Sequence, residues 1–275
     1  MGDFERDTRV VGSDGRYQID LSSDWDIWGP NGGYLAAVAL RAIGAEAQIR
    51  RPVTFSAHYL SVARFATVDL EVTALRRGRR SESFRVSMRQ EGKPILEALA
   101  WTAAERDGLE HDVTKAPDVR PAHELKSREE LIQDDDRPRF AFWNNLEQRP
   151  TKWNPRNPPT PLDPEAIDWF RFRPRSTFDD PFVDAARALL LIDTMIWPAA
   201  WRHHVPEEYY APSLDVVAWF HRGAPTSEWL LCEARSPLAE AGLIAGTSRV
   251  WSTDGRLMAS GGAQLACVSA SGFSR

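Results

Sequence analysis

The sequence predicts an α+β protein made of two similar halves, each an antiparallel sheet packed around one long helix. In the first half an apolar helix is predicted at 35–47, with a strand before it at 15–21 and further strands at 52–62, 67–75, 81–89 and 95–104. Alternating apolar and polar residues indicate the strands, whereas the Ala- and Leu-rich run after Tyr34 favours a helix. One helix followed by a run of antiparallel strands is typical of α+β proteins.

The same order of elements recurs in the second half of the chain. A helix is predicted at 182–200, with strands at 140–147, 168–173, 213–221, 228–234, 243–251 and 257–268. Ala57 and Ala218 hold equivalent strand positions 161 residues apart (218 − 57), and the hairpin glycines Gly92 and Gly255 are 163 apart (255 − 92). This nearly constant offset indicates a duplicated domain.

A change in composition separates the two halves. We therefore predict an N-terminal domain at 1–108, a charged linker at 109–138 and a C-terminal domain at 139–275. The linker is rich in charged residues and proline, contains the acidic run 134–136, and has one short helix predicted at 124–132. Such a charged run is typical of a solvated connector.

Composition excludes several classes of protein. The 275 residues are 43% hydrophobic and 27% charged, as in ordinary globular chains. The net charge of −5 argues against a nucleic-acid partner, and no apolar stretch approaches the about 20 residues of a membrane span. The charged N-terminus lacks the apolar core of a signal peptide, and Cys232 and Cys267 show neither disulfide density nor metal-ligand spacing. We expect a cytoplasmic protein without a metal site.

A glycine turn opens the first helix. Asn31, Gly32 and Gly33 directly precede Tyr34 and the apolar run. Because glycine has no side chain to cover the backbone, the free N–H groups at the positive end of the helix stay accessible. This turn could hold a developing oxyanion, and close packing against a neighbouring backbone is the structural alternative.

The second helix contains one isolated carboxylate. Asp193 is the only charged residue between Arg187 and Arg202. A buried, unpaired carboxylate is costly, so Asp193 must be hydrogen-bonded, be paired, or open onto a cavity. Perturbed buried carboxylates favour functional sites, although a purely structural aspartate would satisfy the same pattern.

The Asn-Gly-Gly turn, the buried helix and the enclosing strands together resemble the hotdog fold. The whole chain outside the linker resembles the double-hotdog acyl-CoA thioesterases of type II, most diagnostically at 212–222 (PSLDVVAWFHR) and 252–264 (STDGRLMASGGAQ). The resemblance implies two tandem hotdog domains and hydrolysis of an acyl-CoA to a carboxylic acid and coenzyme A. It implies no cofactor beyond the coenzyme A of the substrate, and it leaves assembly into a homo-oligomer open.

The same resemblance implies a catalytic triad at Asp193, Ser213 and Gln264. Asp193 would act as general base on a water that Ser213 and Gln264 orient, and direct attack by Asp193 stays open as an alternative. Gln264 lies one residue later than the family's glutamine, with Ala263 in the expected place. A one-residue slip reverses the direction of a strand side chain, so we expect a compensating bulge at Gly261–Gly262.

The thioester oxyanion would bind to the Gly33 amide, in the turn that also contains Asn31 and Gly32. In many single-hotdog relatives one helix holds both this turn and the aspartate. Here the seventh residue after Gly33 is Leu40, and the seventh before Asp193 is Ala186. Each helix has what the other lacks, so we expect one composite site per chain, with Gly33 facing Asp193 between the halves.

Two other functions fit a hotdog fold. Hydratases and dehydratases of this fold usually show an Asp-x-Asn-Pro-x-His type of stretch, which the sequence lacks. A non-catalytic acyl-CoA-binding module would not need Asp193. His58 is interpreted as a strand residue, and the arginines at 76–80 as a solvated turn or a contact for the phosphates of coenzyme A.

Overall fold

A computed structural model describes residues 1–132, 140–153, 158, 160–205 and 209–269. The acidic run 134–136 of the predicted connector lies outside these residues. The helices are α1 (Phe4–Asp7), α2 (Gly32–Glu46), α3 (Arg128–Leu131), α4 (Pro181–Thr194) and α5 (Ile196–Trp201). The strands of the first half are β1 (Val11–Ser13), β2 (Arg16–Asp20), β3 (Pro52–Tyr59), β4 (Thr67–Arg77), β5 (Ser81–Gln90) and β6 (Lys93–Ala103). Those of the second half are β7 (Leu146–Pro150), β8 (Glu165–Phe172), β9 (Tyr209–Tyr210), β10 (Asp215–Phe220), β11 (Trp229–Glu240), β12 (Leu243–Ser252), β13 (Leu257–Ala266) and β14 (Val268–Ser269).

Strands from both halves form one antiparallel sheet in the order β1-β2-β4-β5-β6-β3-β10-β13-β12-β11-β8-β7. The halves join in the middle, where β3 pairs with β10 from Asp215 opposite His58 to Trp219 opposite Thr54. This continuous sheet around two long helices confirms the predicted α+β class. The domain boundaries at 108 and 138 stay predictions.

Helices α2 and α4 pack against each other in opposite directions inside the sheet. Near the end of α2, Arg41 Nη1 donates to Asp180 Oδ2 at 3.0 Å, and Asp180 caps the start of α4. At the other end, the start of α2 lies beside Asp193 in the last turn of α4. Because the helices are antiparallel, the N-terminus of one half's helix meets the C-terminus of the other's.

Two local predictions were wrong. The single helix at 182–200 is interrupted at Met195, because Pro198 has no N–H to donate to the carbonyl of Thr194 and its ring crowds that position. The strand predicted at 140–147 begins only at Leu146, since Ala141–Asn145 forms a 3₁₀ helix. Phe142, one of the aromatic residues that suggested a strand there, lies in this 3₁₀ helix and is buried in the core.

Candidate active site

Asp193 lies in the last turn of α4, where the two helices meet, and its side chain is buried. The Tyr59 hydroxyl donates to Asp193 Oδ1 at 3.1 Å. The Ser213 hydroxyl and the Gly33 amide also donate to this carboxylate. A carboxylate from one half of the chain is thus held by groups from both halves.

Burial raises the pKa of Asp193 to about 6. Hydrogen bonds from Ser213, Tyr59 and Gly33 lower the pKa, and the nearby negative charge of Asp215 raises it, but desolvation is the largest effect. A carboxylate with this pKa is mostly ionised near neutral pH and still accepts a proton more readily than an exposed aspartate. These are the properties of a general base.

The two glycines of the turn allow the helices to approach closely. A Cβ atom at Gly33 would lie 2.7 Å from the carbonyl oxygen of Leu190, and one at Gly32 would lie 2.9 Å from Asp193 Oδ2. A larger residue at either position would therefore push α2 away from α4. Close packing, the structural explanation for these glycines, is correct, and it brings the positive end of α2 to the carboxylate.

Asn31 fixes the orientation of the turn. Its Oδ1 atom accepts a hydrogen bond from the Tyr34 amide at 3.0 Å and so caps α2. Its Nδ2 atom donates to Thr194 Oγ1 at 3.3 Å, next to Asp193. Asn31 therefore ties the start of α2 to the end of α4 and contacts Asp193 only through its neighbour.

Ser213 lies just before β10 and lines the same pocket as Gly32 and Asp193. An isolated bridge to Leu265 on β13 holds its backbone. The structure thus brings Ser213, Asp193 and the glycine turn together, as the family resemblance implied.

Gln264 lies on β13, but its side chain is directed away from the pocket. Its neighbours Ala263 and Leu265 are buried in the core, whereas Gln264 is partly exposed. Successive side chains on a strand point to opposite faces. The pairing of β13 with β12 and β10 continues without a shift through Gly261 and Gly262. The bulge predicted there is therefore wrong, and the structure does not bring the Gln264 side chain to Asp193.

Sequence reasoning missed Tyr59, which contacts the carboxylate. Phe55, Ala57 and Tyr59 alternate along β3 toward the core, so the period of the strand could have identified Tyr59. His58, the neighbouring residue that the sequence analysis considered instead of Tyr59, is exposed on the opposite face, as expected of a strand residue. In the arginine-rich turn, Arg77 is paired with two glutamates, and none of the arginines at 76–80 lines the described pocket.

The site opens into a pocket of about 620 Å³ that is lined in part by aromatic side chains. Trp28 makes edge-to-face contacts with Tyr210, Phe140 and Trp197, at ring-centroid distances of 4.9, 5.8 and 6.4 Å. Trp28 has a φ of 59°, a backbone conformation that is uncommon for a large residue and that often marks functional sites. The pocket therefore suits the apolar part of a small organic ligand.

Neither a metal site nor a membrane helix is found in the described part of the chain. No group of three or more His, Cys, Asp or Glu side chains among those residues could hold a metal ion. No described helix has the length and hydropathy needed to cross a membrane.

Solved structures with the same architecture define the fold class. A hotdog-fold protein of unknown function from Alicyclobacillus acidocaldarius is similar over 96% of this chain and 97% of its own, with a TM-score of 0.81 at 19% identity. An acyl-CoA thioesterase II from Mycobacterium marinum gives 0.80 at 20% identity, over 98% and 100% of the chains. A putative thioesterase II from Thermobifida fusca YX gives 0.79 at 22%, over 97% and 98%. The predicted double-hotdog fold is therefore confirmed.

Two family models match the chain itself. The model for the acyl-CoA thioesterase C-terminal domain matches residues 117–268, and the model for the N-terminal domain matches residues 21–103. The chain therefore belongs to the acyl-CoA thioesterase family, which confirms the predicted family. No curated protein matches it.

Proposed function

We propose that this protein hydrolyses an acyl-CoA to a free carboxylic acid and coenzyme A, with Asp193 as the general base. The observation that carries the proposal is the buried carboxylate of Asp193, with a pKa of about 6, at the positive end of α2 and in an aromatic pocket. Coenzyme A enters only as part of the substrate, and the reaction needs no further cofactor.

In the proposed first step, a water molecule attacks the thioester carbonyl carbon and gives its proton to Asp193. The Ser213 and Tyr59 hydroxyls orient the carboxylate and the water. The carbonyl oxygen lies at the start of α2. As Asp193 becomes protonated, the Gly33 amide donates to this oxygen instead, and the helix dipole stabilises the oxyanion. The C–S bond then breaks, and the coenzyme A thiolate leaves with the proton from Asp193. Gln264 has no part in these steps, because its side chain lies on the other face of the sheet.

Hydrolysis of a panel of acyl-CoAs, followed by the release of free thiol, tests this proposal. We expect turnover by the wild-type protein and a fall of about 10²-fold or more in Asp193→Asn, the range that general-base catalysis typically supplies. Asp69→Asn is the matched control, since Asp69 is an exposed aspartate on β4. An Asp193→Asn protein that hydrolyses acyl-CoA normally would refute the role of Asp193.

The same panel separates the two alternative functions. A non-catalytic module would bind acyl-CoA in this pocket without releasing thiol. A hydratase would convert an enoyl-CoA without releasing thiol, but no histidine lines the described pocket to act as its base. Location in the cytoplasm and assembly into a homo-oligomer stay predictions, and analytical ultracentrifugation would test the second.

A further inference from the structure

The pocket contains a second polar cluster, separate from Asp193, formed by Gln148, Asp168 and Arg202. Gln148 lies on β7 and Asp168 on β8, and Arg202 follows α5; all three line the pocket. Gln148 Nε2 donates to Asp168 Oδ2 at 2.7 Å. Both side chains are more than nine-tenths buried, with 8% and 4% of their surface exposed.

Each member of this cluster has a polar atom that the protein does not satisfy. Gln148 Oε1, Asp168 Oδ1 and Arg202 Nε are buried and have no hydrogen-bond partner among the described residues. Buried polar atoms in native proteins are almost always hydrogen-bonded, so three such atoms in one cluster need an explanation. A polar group on a ligand that occupies the pocket would provide it.

The cluster is separate from the place of the reacting carbon beside Asp193. Arg202 follows Asp193 by nine residues (202 − 193), through the end of α4 and through α5, which corresponds to about 14 Å of helical rise. The aromatic contacts around Trp28 belong to the same pocket. A ligand that reaches both places needs a polar group remote from its thioester and an apolar part between them.

We propose that the substrate's acyl group carries a hydroxyl group remote from the thioester, and that Gln148, Asp168 and Arg202 bind this hydroxyl. This inference rests on the proposed thioester hydrolysis and names the class of acyl group. A hydroxyl can donate to Gln148 Oε1 or to Asp168 Oδ1 and accept from Arg202 Nε at the same time.

Charged alternatives fit the cluster less well. Burial raises the pKa of Asp168, which disfavours its negative form and weakens any attraction for an ammonium group. The adjacent Arg202 would also repel that ammonium. A carboxylate would instead face the acceptor Gln148 Oε1, and among the unpartnered atoms of the cluster Arg202 Nε would be its one N–H donor.

Matched pairs of acyl-CoAs test the inference. Each pair has the same carbon skeleton with and without a terminal hydroxyl, as in ω-hydroxyacyl and acyl chains of six to twelve carbons and in 4-hydroxyphenylacetyl and phenylacetyl groups. We expect at least one pair in which kcat/KM for the hydroxylated substrate is about 10-fold higher or more, because a site built to hydrogen-bond a hydroxyl discriminates strongly against the analogue without it.

Two variants then test the residues. In Gln148→Leu, and independently in Arg202→Met on a different element, this ratio should fall toward about one, while hydrolysis of the unsubstituted partner continues. Because the ratio is measured within one protein, partial unfolding does not alter it. Gln18→Leu, an exposed glutamine on β2, is the control and should keep the wild-type ratio.

Three results would overturn the inference, and they are distinguishable. Ratios below about 10 for every pair, with efficient hydrolysis of both partners, would refute the hydroxyl group and leave the proposed function intact. A preference that survives in both variants would refute the assigned residues. No hydrolysis of any acyl-CoA would refute the proposed function itself, and the inference with it.

Discussion

Helix α4 buries two aspartates, Asp184 and Asp193, that should respond in opposite ways to replacement by asparagine. Asp193 faces the pocket, whereas Asp184 is paired with Arg187 and accepts a hydrogen bond from the Ala224 amide at 2.7 Å. We expect Asp193→Asn to lose activity and keep or gain stability. We expect Asp184→Asn to lose stability and keep the activity of its folded fraction.

The expected gain in stability of Asp193→Asn follows from the raised pKa of Asp193. A rise from 3.8 to about 6 means that the folded protein holds this proton more tightly than the unfolded chain does. The stabilisation by protonation is complete below about pH 4 and is lost as the pH rises through about 6. At about 1.4 kcal/mol per pKa unit, the ionised carboxylate costs about 3 kcal/mol of stability at pH 8.

Asparagine stays neutral and avoids this cost, but it cannot accept all three hydrogen bonds that the carboxylate receives. Part of the gain is therefore lost, and we expect the Asp193→Asn midpoint to rise by a few degrees at pH 8. At pH 4, where Asp193 is already protonated, the variant should gain nothing.

The expected loss at Asp184 follows from its partner. Arg187 is fully buried, and removing the charge of Asp184 leaves a guanidinium without a counter-charge in the core. Breaking a buried pair in this way typically costs about 3–5 kcal/mol.

Urea denaturation of both variants at pH 4 and pH 8, with thioester hydrolysis measured on the same samples, tests the two predictions together. If both variants lose stability and activity in parallel, Asp193 is a structural residue like Asp184 and not a general base.

Four further predictions concern the same site. The kcat/KM of the wild type should rise about tenfold per pH unit below the pKa of Asp193 and level off above about pH 6, as measured in a pH profile. Gly33→Ala should lower kcat/KM by about 10²-fold or more, because the added Cβ meets backbone and displaces the proposed oxyanion donor, as steady-state kinetics would show. Tyr59→Phe should lower kcat severalfold and move the midpoint of the pH profile upward, since it removes a hydrogen bond that lowers the pKa of Asp193. Gln264→Ala should leave kcat/KM within about twofold, because its partly exposed side chain is directed away from the pocket.

The three predictions for variants each have a control or a contrary result. Gly108→Ala adds a Cβ that meets no atom within 4 Å, so its activity should be unchanged. An unaltered pH midpoint in Tyr59→Phe would show that this hydroxyl does not bear on the carboxylate. A 10²-fold loss in Gln264→Ala would mean that the side chain reaches the site when substrate is bound, against the observed strand register.

Much of the fold could be predicted because its signals are local and repeated. Alternation located most strands, and the nearly constant offset between the halves revealed the duplication. The proximity of Gly33 and Asp193 could be inferred from the resemblance. In many single-hotdog relatives one helix holds both the glycine turn and the aspartate, whereas here each helix holds only one of them. The helix break before Pro198 was also predictable in principle, from the missing N–H of proline.

The remaining features depend on register and on pairings distant in sequence. Gln264 shows the effect of register, because a shift of one residue along β13 would turn its side chain to the other face of the sheet. The cluster of Gln148 and Asp168 shows the effect of distant pairings, because no sequence spacing shows that two polar residues on β7 and β8 will share a pocket with Arg202. Only the paired strands bring them together.

A single turnover in H₂¹⁸O, with enzyme in excess over acyl-CoA, tests the central claim most directly. If Asp193 activates water as a general base, the carboxylic acid released in that turnover carries one ¹⁸O atom, and the peptide that contains Asp193 carries none. If ¹⁸O appears in that peptide and not in the acid, Asp193 has attacked the thioester itself, and the account of Asp193 as a base is wrong.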